Sequence, residues 1–263
     1  MARESLRWLG IAALGVIFAA LGVLVAAWAT PPRVAPVAEP VVVTVTTTAT
    51  AHPDPEAAPV ASPTGIDLTA HSIDDPESVW VVVNKTRPLS PLDFEPSDLT
   101  NVDIPGGGEL TREAASALER MHDAAVADGA PFGVSTSYRS YNFQKGLFND
   151  YARRYGAAKA DTFSARAGYS EHQTGLVLDV SDPSGCHLKK CFAETPSGTW
   201  LVAHAVDFGF IERYPDGKTD TTGYTWEPWH WRYVGADLAQ YMRDQKIATL
   251  EEVFGLPAAP DYD

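Results

Sequence analysis

The chain has 263 residues, room for one large domain or two small ones, and 45% of them are hydrophobic, enough for a sizeable core. Its formal net charge of −14 argues against nucleic acid as a partner, because phosphates need lysine and arginine on the binding face. The acidic residues are spread along the chain rather than blocked, which reads as a solvated acidic surface.

From Leu9 to Ala29 no residue is charged, a length that as a helix matches the roughly 30 Å of a hydrocarbon core. Arg3 and Arg7 precede it, so the positive-inside bias places the N-terminus in the cytoplasm and the remainder outside. The run is longer than the ~7–15 residues of a signal-peptide core. An uncleaved anchor over residues 1–30 is therefore expected, with a cleaved signal ending near Ala27-Trp28-Ala29 as the alternative. Residues 31–65, rich in Pro, Ala, Val and Thr, read as a semi-extended tether.

The domain proper is expected over 66–263. Trp80-Val81-Val82-Val83 reads as a buried strand ending at Asn84. Thr111 to Asp128 reads as a helix with Ala115, Leu118, Met121, His122 and Ala125 on one face, Thr111 as its cap and Gly129 as its stop. Phe132 to Thr136 reads as a strand. Tyr141 to Tyr155 reads as a helix presenting Phe143, Leu147, Phe148 and Tyr151, stopped by Gly156. Short strands follow at Leu176–Val180, Phe210–Ile211 and Trp229–Val234, and helices at Thr199–Phe208, Ala236–Gln245 and Ala248–Phe254. No βαβ rhythm repeats, so the fold class is α+β with a small antiparallel sheet flanked by helices.

Three places along these elements carry chemistry. Asp179 sits inside the apolar run Leu176-Val177-Leu178-Asp179-Val180, where a carboxylate is costly without a cation or donors beside it. His172 lies seven residues upstream, before Gly175. Glu227-Pro228-Trp229-His230-Trp231 embeds a histidine and a glutamate among large aromatics. Two histidines, an aspartate and a spare glutamate are the inventory of a catalytic zinc site: three protein ligands, an open position, and a base for water. Each residue alone is more often structural, and the aromatic cluster alone reads equally well as core. Arg139, after a strand and before a helix, can aim a permanent charge into a cleft to steady an oxyanion.

Cys186 and Cys191 enclose four residues. With no second pair to complete a zinc pattern, they read as a disulfide in an exported chain, worth roughly 2 kcal/mol by loop entropy. Metal binding with His187 is the alternative. His204 and Asp207, three apart, read as a helix-surface pair.

Taken together, Ser137-Tyr138-Arg139-Ser140-Tyr141 with Gln144, then Ser170-Glu171-His172-Gln173-Thr174-Gly175 to Asp179, then Glu227-Pro228-Trp229-His230-Trp231 resemble the three signatures of the VanY-type D-alanyl-D-alanine carboxypeptidases, zinc peptidases of bacterial peptidoglycan that share the Hedgehog-domain fold. The resemblance spans about Trp80 to Gly235. It implies zinc on His172, Asp179 and His230, with Glu227 as catalytic base and Arg139 steadying the tetrahedral intermediate. It implies Ser170, Gln144 and Tyr138 as substrate contacts. Ser137, Ala167 and Val177 stand where the family commonly has glycine, proline and alanine, and they bear on the substrate more than on the activity. The expected protein is a monomeric, membrane-tethered, extracytoplasmic zinc carboxypeptidase acting on D-Ala-D-Ala of peptidoglycan stem peptides, with no nucleic-acid partner. The rivals are an L,D-carboxypeptidase or endopeptidase on the same machinery, and a silent wall-peptide-binding module.

Overall fold

The structure, a computed structural model, describes residues 65–262. The expected anchor, and the tether up to residue 64, lie outside the described residues, among which no helix is long and apolar enough to cross a membrane. In chain order come strands β1 (Leu99–Asn101) and β2 (Glu109–Thr111), helix α1 (Arg112–Ala127), β3 (Gly133–Thr136), α2 (Tyr141–Tyr155) and a single turn, α3 (Ala157–Ala160). Then follow β4 (Val177–Ser181), α4 (Pro196–His204), β5 (Phe210–Glu212), the single turn α5 (Thr219–Thr222), β6 (His230–Tyr233), α6 (Ala236–Gln245) and the short α7 (Leu250–Val253). β1 and β2 pair with each other, while the other strands form one antiparallel sheet in the order β3-β4-β6-β5. The fold is α+β.

The sheet separates two cores because side chains alternate across it. Leu178 and Val180 of β4 and Trp231 and Tyr233 of β6 join Leu118, Met121 and Ala125 of α1. Ile211 of β5 joins Trp80, Val82, Leu238, Met242 and Leu250 in the other. α1 can lie this close because alanines at 114, 115 and 117 leave its buried face narrow. The registers Val177↔Arg232, Leu178↔Trp231 and Asp179↔His230 put Asp179, His230 and Arg232 together on the face opposite Leu178 and Trp231.

Several elements differ from their sequence reading. Trp80–Val83 is buried but is not a strand. Its backbone finds other partners: the Arg232 guanidinium donates to the carbonyls of Val79 and Val81, and Arg87 Nε donates to that of Val82. α2 has the expected bounds, yet Phe143 on it is 59% exposed and its one buried side chain is Gln144. α4 begins three residues early, because the Thr195 side chain accepts from Gly198 N–H and Pro196 at the first position has no N–H to satisfy. It ends at His204 and passes into a 3-10 turn, Ala205–Phe208. The helix expected over Ala248–Phe254 contracts to Leu250–Val253 behind a Thr249–Glu252 capping box. Thr111 stands at the α1 cap position without a side-chain capping bond.

Gly175 ends the 3-10 turn Glu171–Thr174 with φ +67°, and a Cβ there would meet Leu99 Cδ2 at 2.9 Å. Both the left-handed backbone and the lack of space favour glycine. Gly175→Ala is expected to cost about 1–3 kcal/mol, seen as a lowered midpoint in thermal or urea unfolding; unchanged stability would contradict this account.

Candidate metal centre

Asp179 and His230 reach the site as directly opposed residues of β4 and β6. His172 comes from the turn before β4, and the β3–α2 loop holds it from both sides. Its Nδ1–H donates to the Ser137 carbonyl at 2.7 Å, and its own carbonyl accepts from Arg139 N–H at 3.1 Å. The ring nitrogen left over, Nε2, points at Asp179 Oδ2 from 3.4 Å and has no hydrogen-bond partner. On the other side, His230 Nδ1 lies 3.2 Å from Asp179 Oδ1. The three residues are buried and each offers a donor atom within 4.8 Å of the others. Donor atoms of three buried ligand-type residues converging at one point, with His172 Nε2 and Asp179 Oδ1 left without partners there, fit a metal ion, and two imidazoles with one carboxylate suit zinc while leaving a position open.

Glu227 approaches from the loop before β6. Its backbone N–H donates to the Tyr214 carbonyl, its carbonyl accepts from His230 N–H, and its Oε2 stands 3.7 Å from His230 Nδ1. The Tyr214 ring packs on the His230 ring with centroids 4.6 Å apart. Arg139 is half-buried and its Nε has no partner. All of these line one cavity of about 290 Å³, shared with Ser170, Ser164, Tyr151, Phe163, Leu188 and Trp229. Tyr138 and Gln144 do not line it. Gln144 is fully buried and donates to the Ala165 carbonyl at 2.6 Å, so it ties down the cavity wall from behind. Cys186 and Cys191 are bridged, and the loop they close brings Leu188, at φ +46°, to the cavity.

Glu171, Arg213 and Arg232 were not singled out in the sequence. Glu171 Oε1 accepts from Arg213 Nε at 2.9 Å and from Arg232 Nη1 at 3.2 Å, and Arg213 also makes a two-bond pair with Glu251, all with buried side chains. Arginines in polar-looking segments ordinarily face water. The signal available was their position: Arg213 follows β5, and Arg232 alternates with the core residues Trp231 and Tyr233.

Burial and the nearby charge of Arg139 lower the His172 pKa to about 4, so its ring is neutral at neutral pH. Burial would lower His230 as well, but the carboxylates of Asp179, Glu171 and Glu227 outweigh it and raise His230 to about 9. Burial pushes Glu227 up to about 8. Burial would also raise Glu171, yet Arg213 and Arg232 hold it at about 2.

Three metal-ligand residues with an adjacent buried carboxylate in a cleft have the make-up of a metal-dependent hydrolase. Residues 107–236 match the family model described as VanY: D-alanyl-D-alanine carboxypeptidase. YodJ of Bacillus subtilis (strain 168), a carboxypeptidase by provisional name, is 41% identical over 191 residues, covering 70% of this chain and 69% of its own. The LdcB LD-carboxypeptidase, solved for its peptidoglycan recognition, is 40% identical with TM-score 0.64, over 68% of this chain and 87% of its own. The vancomycin-resistance D,D-pentapeptidase VanY of a VanB-type cassette, solved as a variant with Zn(II), is 32% identical with TM-score 0.57, over 66% of this chain and 97% of its own. This chain belongs to the VanY D-alanyl-D-alanine carboxypeptidase family.

The shifted groups set the stability of the metal-free protein from both sides. Below pH 4.5 the unfolded chain takes up the proton that Glu171 refuses until about pH 2, so stability falls with pH. Between pH 6.5 and about 9, His230 keeps a proton in the fold that the unfolded chain has released, so stability falls as pH rises. Between 4.5 and 6.5 the depressed His172 and the raised Glu227 oppose each other. Urea unfolding in chelator is expected to show a maximum near pH 5–6, and stability rising from pH 7 to 9 would contradict these assignments.

Proposed function

We propose that the domain is a zinc carboxypeptidase that removes the terminal D-alanine from peptidoglycan stem peptides. The observation that carries this is the convergence of the His172, Asp179 and His230 donor atoms beside Glu227 and Arg139 in one cavity. Family membership supports the substrate class: one structural neighbour was solved with D-alanine-D-alanine and another with Zn(II). Zinc held by the three ligands would polarise the scissile carbonyl and bring the pKa of a water near 7.

The chain's own residues do the rest. Burial holds Glu227 at about 8 in the metal-free site; beside a bound cation its carboxyl is drawn back down, so that the buried carboxylate accepts the water's proton and returns it to the leaving amine. The Arg139 guanidinium, with its Nε free and its backbone tied to His172, offers a fixed charge to the oxygen that becomes negative. The aromatic rings of Tyr151, Phe163, Tyr214 and Trp229 line the cavity and lower its local polarity, which strengthens both effects. The uncharged run Leu9–Ala29 and the Cys186–Cys191 bridge support an anchored domain working outside the cytoplasm, where stem peptides lie.

A second reading, cleavage of tetrapeptide stems, is favoured by the 40% identity to an LD-carboxypeptidase. Incubating the soluble domain with pentapeptide and tetrapeptide muropeptides, with and without chelator, and weighing the products separates the two. Release of one D-alanine from the pentapeptide alone, abolished by chelator, is expected. Preferential cleavage of the tetrapeptide would establish the second reading, and no cleavage of either would leave a binding module.

Glu227→Gln should fold and hold one zinc yet turn over at least about a hundredfold more slowly, since a positioned base contributes about 10²–10⁴-fold. His172→Ala should instead lose zinc, measured by metal analysis after dialysis. Near-normal turnover by the first variant would remove Glu227 from the mechanism; stoichiometric zinc in the second would remove His172 from the ligands.

A further inference from the structure

His230 presents two ring nitrogens to two different carboxylates. Nδ1 faces the donor cluster, 3.2 Å from Asp179 and 3.7 Å from Glu227. Nε2 faces away from it, 3.9 Å from Glu171 Oε2. Glu171 is therefore no candidate ligand, and it is absent from the converging donor set. Nor is it only a counter-charge for arginines. Its Oε1 takes both arginine bonds, whereas Oε2 has no partner, and neither has His230 Nε2. Two buried polar atoms without partners, one able to donate and one only to accept, face each other about 1 Å beyond hydrogen-bond length. A small movement of the ring toward Glu171 closes that gap.

We propose that Glu171 is the positioning residue for His230: its Oε2 accepts from Nε2–H, which fixes the tautomer and leaves Nδ1 for the metal. The inference rests on the metal reading above and adds a residue to it. Glu171 is suited to this because it cannot turn away. Arg213 Nε and Arg232 Nη1 clamp its other oxygen, Glu251 holds Arg213 by two bonds, and Arg232 is itself fixed to the carbonyls of Val79, Val81 and Tyr233. His172 has the complementary arrangement, Nδ1–H on the Ser137 carbonyl and Nε2 toward Asp179. The two histidines would thus bind through different ring nitrogens, each oriented by a different acceptor. A carboxylate or carbonyl behind a ligating imidazole raises its basicity and holds its plane, and losing one typically weakens metal binding 10–100-fold.

Nitrogen NMR of the zinc-loaded domain, labelled in its histidine rings, tests this directly on the unaltered protein. His230 is expected to carry its proton on Nε2 with Nδ1 coordinated, and His172 the reverse. Coordination of His230 through Nε2 would overturn the proposal while leaving the metal reading intact; failure to bind zinc at all would overturn both. Glu171→Gln supplies the second measurement, since a single amide oxygen cannot serve the arginines and His230 together. Its zinc affinity, by competition with a chromophoric chelator, should fall about 10–100-fold. Glu251→Gln, which disturbs the same arginine without touching His230, should lower the melting temperature but keep zinc affinity within about threefold, well short of that loss. Equal weakening in both variants, or none in a folded Glu171→Gln protein, would reduce Glu171 to a structural ion-pair partner. Should Glu171→Gln fail to fold, the NMR assignment on the unaltered protein still decides.

Discussion

The antiparallel register of β4 and β6 is the constraint from which the site follows. It sets Asp179 opposite His230 on one face and Leu178 opposite Trp231 on the other. A slip of one residue would exchange the faces, sending a carboxylate into the α1 core and a leucine toward the metal position. Neither arrangement could be tolerated, so the packing of Leu178, Val180, Trp231 and Tyr233 against α1 specifies the register as strongly as any hydrogen bond does. His172 is then brought in by the turn before β4, whose end is fixed by Gly175 and whose carbonyl is held by Arg139 N–H.

Placing Asp179, Glu171, Glu227, two histidines and three arginines in one region raises a desolvation problem that no pair solves alone. The molecule meets it with layers of opposite sign. Asp179 sits between His172 and His230; Glu171 lies behind His230 against Arg213 and Arg232; Glu251 of α7 lies behind Arg213. The outermost bonds reach the segment Val79–Val81, whose carbonyls receive Arg232, and Asn84, which donates to Glu251. Segments far from the chemistry in sequence are thereby tied to a ligand-bearing strand. Glu227 is the one carboxylate outside this compensation, which is why burial raises it while the arginines lower Glu171.

What the sequence revealed and what it concealed divide along physical lines. α1, α2 and α6 were legible because amphipathic spacing and stops are local, and α2 and α6 have the bounds read for them. The ligand-type residues were legible because polar groups stand inside apolar runs. Trp80–Val83 misled because a β-branched run reports burial, not pairing, and its carbonyls are taken by arginine side chains 5 or about 150 residues away. The α2 face misled because Leu147 and Tyr151 line the cavity and Phe143 is exposed, instead of joining a core. Strands β1 and β2, three residues each, are too short to show alternation. The Glu171–Arg213–Glu251 chain was invisible because no local pattern links three positions on three elements.

Chemistry and choice of substrate rest on different parts of the fold. The ligands on β4 and β6 are fixed by a sheet that leaves little freedom. The cavity wall around them comes from α2 and from loops held by separate fastenings. The Cys186–Cys191 bridge closes the loop carrying Leu188, and Gln144 anchors the Ala165 carbonyl. Arg166 is paired with Asp161 and stacked on Tyr262, and its N–H donates to the Tyr262 hydroxyl. Changing such a fastening can move a wall without disturbing the ladder that carries Asp179 and His230. That division accounts for the pattern of relatives: an LD-carboxypeptidase and a D,D-pentapeptidase both share this sheet and these helices with the chain, at 40% and 32% identity. Both cuts release a single terminal residue, so the strand residues Asp179 and His230 can serve either one while the loop residues that line the cavity, Leu188 among them, vary independently of that ladder.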